Sequence, residues 1–541
     1  MSVTKLPQSQ SNILLDHYQN GRYDDAEKLA ILLTEQFPHD QFSWKVLGAT
    51  LKKKGKVSES LVASQKAVDI NPQDVEAHSN LGNTLHELGK FEEAEASYRQ
   101  AVIINPDYAI GHNNLGNTLK ELGRLQEAQA SYKQAVTINP DYAIAHNNLG
   151  VILQELGRLQ EAHASYKQAV TINSDYANAH NNLGVILQKL GKFQEAQASY
   201  RQAVTINPDY AIAHNNLGVI LQKLGKFQEA QASYRQAVTI NPDYAIAHNN
   251  LGNSLKELGK YQAAESSYKQ AITINPDYSE AYYNLGVLYL DMARNFKELK
   301  QINEAVKYFK EALKVHPEDS FGATLELVRL GHKNMPDKTP LNYMQGFYKI
   351  KSKSYELNED KKYNGHLLIK NAFKATYNKQ DKLDILDLGC GSGSLAGFLR
   401  PYAKNLYGVD LSPDMLHIAE KTQLYDSLHQ DDLLKYLSKI TIQYDKVLAA
   451  AVMVHFSKLE NVFSLVSDRL KIKGEFIFSI FEGTQKDIEL NSSFFYEHSS
   501  DYITSLANQH KLKIVYKQQG VHEYHKEIPV SGLIYVLQKS K

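Results

Sequence analysis

The 541-residue sequence holds a single cysteine, Cys390. One thiol can form neither an intramolecular disulfide nor a cysteine-based structural zinc site. Neither sign of charge is in excess, since 60 Lys+Arg balance 60 Asp+Glu. A neutral chain lacks the general field that draws proteins to nucleic acid or anionic membrane, so neither partner is expected. Long hydrophobic runs are missing too. The longest apolar stretch, Val447–Val454, is far short of the roughly 20 residues that cross a bilayer. The opening segment MSVTKLPQSQ has no apolar core of a signal peptide. These absences set the expectation of a reducing, aqueous compartment, the cytoplasm. What remains is ordinary for a globular protein: 43% hydrophobic and 22% charged residues, at a length of three or four domains unless repeats intervene.

Repeats do intervene. Asn-Pro recurs at Asn71-Pro72, Asn105-Pro106, Asn139-Pro140, Asn207-Pro208, Asn241-Pro242 and Asn275-Pro276, at steps of 34 or 68 residues. Asn173-Ser174 fills the gap, and Phe37-Pro38 lies one step upstream. This register places units at 7–40, 41–74, 75–108, 109–142, 143–176, 177–210, 211–244 and 245–278, with a ninth of 41 residues at 279–319. Within 109–142, Leu115, Leu119 and Leu122 keep helical spacing up to Gly123. Leu125, Ala128, Tyr132 and Ala135 keep it again on a second helix, and Pro140 follows where it cannot continue the ladder.

The 34-residue period, with Leu115-Gly116, Ala128, Tyr132, Ala135 and Pro140 at fixed places, resembles the tetratricopeptide repeat family. Trp44 stands where that family often carries tryptophan, and most other repeats have histidine there. The resemblance implies a right-handed α-solenoid, a superhelix of antiparallel helix pairs with a concave groove. Asparagine recurs at one repeat position: Asn80, Asn114, Asn148, Asn182, Asn216, Asn250 and Asn284. A similar ladder in tetratricopeptide domains like that of O-linked N-acetylglucosamine transferase holds the backbone of an extended peptide. A side-chain amide donates and accepts, so it suits a peptide backbone of any sequence. The other reading is that these amides bond within or between helices. His78, His112, His146, His180, His214 and His248 form a second series. One histidine per repeat cannot converge on an ion, so half-buried packing is expected and no metal site. Tyr108, Tyr142, Tyr176, Tyr210, Tyr244 and Tyr278 are expected to pack between neighbouring repeats.

The ninth unit carries about seven extra residues around Asp291–Lys297. One extra turn on each of its helices would keep both apolar faces in phase. Ser320–Leu330 reads as a helical cap on the solenoid. Pro336 and Pro340 flank a short polar stretch that reads as a hinge, so 320–340 is taken as cap and linker. The segment 341–380 looks helical.

From 383 the pattern alternates strands with helices, and 341–541 reads as one α/β domain. Leu383–Leu388, Leu406–Val409, Lys446–Ala449, Glu475–Ile480, Lys513–Tyr516 and Leu533–Leu537 read as strands; 394–403, 413–422, 457–470 and 500–510 read as helices. Such alternation gives a mostly parallel sheet whose ligands bind beyond the strands' carboxyl ends. The loop there is Asp387-Leu-Gly389-Cys390-Gly391-Ser392-Gly393, and the next strand ends in Asp410. Glycines let a ligand approach the backbone, and a carboxylate at that point can accept both hydroxyls of a ribose. Gly391-x-Gly393-x-x-Ala396 also fits a dinucleotide fingerprint.

The segment LDLGCGSG resembles motif I of the class I S-adenosylmethionine-dependent methyltransferases, a Rossmann-like fold, and this reading is favoured over the dinucleotide one. Asp387, two residues before Gly389, belongs to the methyltransferase loop, whereas dinucleotide sites keep that place apolar; the resemblance implies Asp387, Gly389, Gly391 and Gly393 at the cofactor, with Asp387 also read as a cap on the loop's backbone amides. Val409-Asp-Leu-Ser-Pro-Asp-Met415 resembles the second motif, which implies Asp410 on ribose and Met415 beside adenine. His429-Gln-Asp431-Asp432-Leu433 follows the next strand. There the family carries an Asp for the adenine amine, matched best by Asp432, with Asp431 the fallback. Ala450 lies after the fourth strand, where the family's substrate-facing residues are found, and the resemblance implies that it too contacts the cofactor. The order of repeats, linker and methyl-transfer domain resembles the predicted bacterial methyltransferases that carry tetratricopeptide repeats. That family has an acidic aromatic motif near 343–356, whereas Gln345-Gly346-Phe347-Tyr348-Lys349 lacks the acidic residue. The departure argues against contacts from this segment to cofactor or substrate.

A sulfonium methyl is already electrophilic, so the protein's task is to bind, align and exclude water. His455 is the only titratable residue of Ala449–Phe456 and reads either as a base or as a structural histidine. The Asn/Asp-Pro-Pro-Tyr/Phe motif of adenine or glutamine methylation is absent. The two resemblances imply S-adenosylmethionine as cofactor and a protein or extended peptide in the groove, and they name no methyl acceptor. The competing reading is a repeat scaffold whose methyltransferase fold has lost its chemistry. An O-linked glycosyltransferase does not fit the roughly 220 residues after the repeats.

Overall fold

A computed structural model describes residues 6–356, 364–378, 381–483, 486–525 and 528–540. The chain divides into two compact units, Met1–Pro276 and Asp277–Lys541.

In the first unit each repeat from Gln41 onward is a 13-residue helix A and a 14-residue helix B, as in Ala109–Glu121 and Leu125–Ile138. Gly123 ends helix A at φ 72°, and the Arg124 amide then bonds the Leu119 carbonyl at 2.9 Å. This left-handed glycine stop satisfies carbonyls that the helix end would leave open. A second glycine does a different job. A Cβ on Gly116 would lie 2.7 Å from the Tyr132 ring, so helix B packs its buried tyrosine directly onto helix A's backbone. Ala128 and Ala135 are fully buried in the same seam. The Tyr132 hydroxyl, which burial would otherwise leave unsatisfied, donates to Asn117 Oδ1 at 2.7 Å.

The histidine series closes the inter-helix turns. His112 Nε2 meets the Pro106 carbonyl at 3.0 Å, and Trp44 Nε1 donates to the Pro38 carbonyl at 3.0 Å. Histidine replaces tryptophan there because either ring offers an N–H to the same carbonyl. Tyr108, the last residue of its unit, stands at the start of the next unit's helix A and reaches back to its own unit's helix A, its hydroxyl 3.4 Å from Ser79 Oγ.

The second unit begins with a longer pair, Ser279–Glu298 and Ile302–Val315. All seven extra residues lie on the first helix, which has 20 residues, while the second keeps 14. The expected split of one turn per helix is therefore wrong. Two full turns on one helix return its apolar face to phase just as well. The added length buries Met292 and Ala293 and stacks Phe296 on Tyr308 at 5.5 Å. The cap helix, Ala323–Arg329, is started by Asp319, whose carboxylate accepts from the amides of Ala323 and Thr324.

Among the described residues the sheet has nine strands: β1 Leu383–Leu388, β2 Ala403–Asp410, β3 Ser427–Gln430, β4 Tyr444–Ala449, β5 Leu470–Glu482, β6 Ile488–Leu490, β7 Tyr496–His498, β8 Leu512–His525 and β9 Ile528–Lys539. The order runs β3-β2-β1-β4-β5, with β9 antiparallel on β5, β8 on β9, and the short β6–β7 hairpin extending the carboxyl end of β5. β1 to β5 are parallel, and their direction of succession reverses between β1 and β4. That reversal is the switch point where open α/β sheets bind ligands. Of the expected helix 394–403, only Ala396–Leu399 is helical.

Candidate active site

At the switch point the loop after β1 is pinned to β2, with the amides of Gly389 and Cys390 both bonding the Val409 carbonyl. Gly389 stands at φ 67°, and a Cβ there would come 2.3 Å from Val452. No other residue fits, so the backbone itself faces the space above the strands. Asp410, at the end of β2, accepts from the Gly391 amide at 2.9 Å on one oxygen and from the Ser412 amide at 2.8 Å on the other. Burial raises its carboxyl, against the pull of these two amides and of the neighbouring Leu411 amide. Each oxygen keeps one acceptor position, which matches two hydroxyls on neighbouring carbons. Ser412 also caps the helix Pro413–Lys421 that carries the buried Met415.

A cavity opens over this loop. Gly389, Gly391, Asp410, Met415, Asp432, Ala450 and His455 line it. About 130 Å³ is open to the centres of water molecules, where one water needs roughly 10–15 Å³. Two expected residues do not reach it. Gly393 serves packing, since a Cβ there would meet Tyr425 and Ala419 at 3.2–3.3 Å. Asp387 is buried behind the loop and accepts from the Tyr425 hydroxyl at 2.8 Å. Tyr425 reaches it by crossing Gly408, where a Cβ would leave only 3.0 Å. Burial pushes the Asp387 carboxyl up to about 7, against the tyrosine bond that lowers it. Cys390 is also buried, and its thiol is pushed well up, which makes it inert.

At the end of β3, Asp432 caps the helix Leu433–Lys439: its Oδ1 accepts from the amides of Leu434 and Lys435. Its Oδ2 accepts from Lys338 Nζ at 2.7 Å. Burial works to raise this carboxyl, and the Lys338 bond holds it below the ordinary value. Asp431 pairs with Lys439 at 2.9 Å.

After β4, Ala451 takes φ 53° and donates its amide to Ser479 Oγ, which also meets His522 Nε2. A non-glycine residue held in that region is strained, and such strain gathers at functional sites. His455 is buried, and its Nε2 lies 2.8 Å from the Tyr348 hydroxyl. Burial pushes the imidazole down to about 3.

Tyr348 comes from the helix Leu341–Glu356, whose Met344 and Gln345 also line the cavity. The expectation that this segment stays away from the site is overturned, because the acidic residue it lacks is replaced by contacts through tyrosine, methionine and glutamine. The hinge reading of Pro336–Pro340 fails as well. Ser457 Oγ donates to the Pro336 carbonyl, the Ser457 amide to Asp337 O, and the Thr339 amide to His455 O. The segment is a strap fastened beside the cavity. Nothing in the sequence marks Lys338; the aromatic run Tyr343–Tyr348 was the one available signal for the helix.

The amide ladder is engaged along the repeats. Asn148, Asn182, Asn216 and Asn250 each donate at 3.0 Å to Asn113, Asn147, Asn181 and Asn215, one repeat back. Asn114 donates to Asn83 at 3.2 Å. The reading of these amides as bonds between helices is thus realised at Asn114, Asn148, Asn182, Asn216 and Asn250. Asn80 borders a polar recess with Asn83, Lys52 and Glu87. Asn284 lies on Ser279–Glu298 in the second unit.

Comparison with known proteins finds matches to both the repeats and the sheet domain. Family models described as tetratricopeptide repeat and TPR repeat match 175–243, 209–277 and 243–318, and 48–89, 82–123, 116–157 and 152–191. A model described as methyltransferase domain matches 386–476. The chain is a tetratricopeptide-repeat protein fused to a methyltransferase domain. It is 28% identical over 154 residues to the probable S-adenosylmethionine-dependent methyltransferase CRG1 of Saccharomyces cerevisiae, covering 27% of this chain and 52% of the relative. It is 24% identical over 117 residues to an uncharacterized methyltransferase of Schizosaccharomyces pombe, covering 19% of this chain and 41% of the relative. The chain thus spans about half the length of the curated relatives it matches. Among solved structures, YrrB, described as a TPR protein with an unusual peptide-binding site, is 24% identical, with 34% of this chain and 96% of that one covered at a TM-score of 0.31.

Proposed function

We propose that the protein is an S-adenosylmethionine-dependent methyltransferase whose repeats, 7–319, bind a protein or extended peptide, and whose catalytic part is 341–541 together with the strap inside 320–340. The observation that carries this is Asp410, which closes the glycine loop with one lone pair on each oxygen and keeps the other two toward the cavity. An intact loop and acceptor favour chemistry over a scaffold that has lost it. A buried single thiol and a neutral chain support the cytoplasm as its compartment.

When bound, S-adenosylmethionine supplies a methyl group on a cationic sulfur. Gly389 and Gly391 present backbone to it, Asp410 takes the ribose hydroxyls, Met415 packs on the adenine face and Asp432 accepts from its amine. Asp387 and Gly393 act indirectly, by fixing Tyr425 behind the loop. Ala450 and Ala451 wall the methyl end. His455 is neutral at physiological pH and a weak base, so its main work is to hold the Tyr348 hydroxyl at the acceptor end. The groove reading rests on the amide oxygens of the ladder, since one hydrogen of each donor is engaged between repeats.

The test is calorimetric titration of the full chain with S-adenosylmethionine, with NADH as rival. Binding of the first alone is expected, and Asp410→Ala should weaken it by about 10–150-fold, the loss of a charged hydrogen bond. Equal affinity in a folded variant removes Asp410 from the site; preference for NADH overturns the function.

A further inference from the structure

The carboxylate of Asp432 has about four acceptor positions. Two on Oδ1 are taken by the helix amides of Leu434 and Lys435, and one on Oδ2 by Lys338 Nζ at 2.7 Å. The cap bonds fix which way the carboxylate turns, so Oδ2 is the oxygen left for a ligand in the cavity, and an ammonium already sits on it. Both residues line the cavity. Lys338 is held in place by its neighbours on the strap. It forms an isolated antiparallel bridge with Phe456, and the Thr339 amide bonds the His455 carbonyl at 2.9 Å. Farther along, Tyr343 packs on Gly322, whose Cβ would come 2.9 Å from its ring, and Asn342 bonds Glu318 at 3.0 Å. The strap that follows the repeats therefore delivers a cation to Asp432 at the cavity wall.

We propose that Lys338 is a specificity-determining residue of the cofactor site, which acts through Asp432 to set how strictly the 6-position of the purine is read. This rests on the cofactor reading above. A lysine ammonium has three donors and no acceptor. It can hold Asp432 and still donate to a 6-oxo group, so a hypoxanthine base meets a partner where it would otherwise face a bare carboxylate. An adenine amine uses the remaining position on Oδ2, an acceptor weakened by the ion pair. With Lys338 present the two bases bind with similar affinity. Without it the carboxylate is left unpaired, favours the amine and repels the oxo group.

The experiment measures the affinity of the full chain for S-adenosylhomocysteine and for S-inosylhomocysteine, in the native protein and in Lys338→Met and Lys338→Arg. The ratio of the two affinities is the readout, because a loosened strap weakens both ligands alike. The ratio should rise about tenfold or more in Lys338→Met, the worth of one charged hydrogen bond, and stay near the native value in Lys338→Arg. An unchanged or lower ratio in Lys338→Met, including a parallel loss for both ligands, overturns the proposal. Failure of the native protein to bind S-adenosylhomocysteine is a separate result and overturns the cofactor reading itself.

Discussion

In the repeats a residue recurs and its partner recurs with it; in the second unit each contact occurs once. Gly82, Gly116, Gly150, Gly184, Gly218 and Gly252 all lie under a tyrosine ring sixteen residues on. Asp410, Tyr425 and Lys338 have no such counterparts. The energetics should differ accordingly. A repeat touches mainly its neighbours, so damage stays local. The sheet has a continuous core in which Phe476, Phe478 and Tyr535 stack, at 4.5 Å and 5.6 Å between successive rings, so damage there should be global.

The largest expected effect tests that contrast. Phe478→Ala should cost the second unit about 3–5 kcal/mol and open it as a whole. Hydrogen exchange should show protection lost across β1, β4, β5 and β9 while the repeats keep theirs. Loss of protection in the repeats as well would erase the distinction.

Acid gives the next effect. His455, His498 and His522 are held neutral by burial, near 3, 4 and 3, whereas an unfolded histidine titrates near about 6.5. Folded values below the unfolded one mean stability that is full above pH 6.5 and is lost as pH falls. Asp387, raised to about 7, works the other way, since it takes its proton in the folded state first. Burial raises the carboxyls of Asp410, Asp319 and Glu497 as well, so these offset a further part of the effect, and the three imidazoles leave a fall in stability as pH drops from about 6 to about 4.5. Denaturant titrations of the second unit across that range should show the slope, and a flat profile would mean that the histidines are not buried neutral.

Smaller effects sharpen the repeat side. Gly184→Ala would place a methyl 2.6 Å from the Tyr200 ring, and overpacking of this kind costs about 1–3 kcal/mol. Exchange should rise in 177–210 and its neighbours and stay unchanged in the sheet. Asn182→Ala removes one inter-repeat bond to Asn147 and should cost about 1 kcal/mol, seen as a small drop in the thermal midpoint of the helical signal. A loss several times larger would make the ladder a structural zipper first and a groove second.

The same contrast explains what the sequence made legible. Periodicity reveals any role that repeats, which is why helix pairs, glycine stops and buried tyrosines could all be read from it. Parallel strands flanking a glycine loop were legible because apolar runs and glycines are local signals. Contacts between distant segments have no local signal. Lys338 meets Asp432 across 94 positions and Tyr348 meets His455 across 107. The placement of seven extra residues on one helix was underdetermined for another reason, since either arrangement keeps the apolar faces in phase. Asp387 was expected at the ligand because its neighbours are there. It is buried instead, since Gly408 on the paired strand leaves room for Tyr425.

The most direct measurement is a crystal structure of the full chain with S-adenosylhomocysteine. The ribose hydroxyls should lie on the two oxygens of Asp410, the adenine between Met415 and Asp432, and the sulfur toward Ala450 and Tyr348. A ligand elsewhere, or one that leaves Asp410 bonded only to Gly391 and Ser412, would contradict this placement.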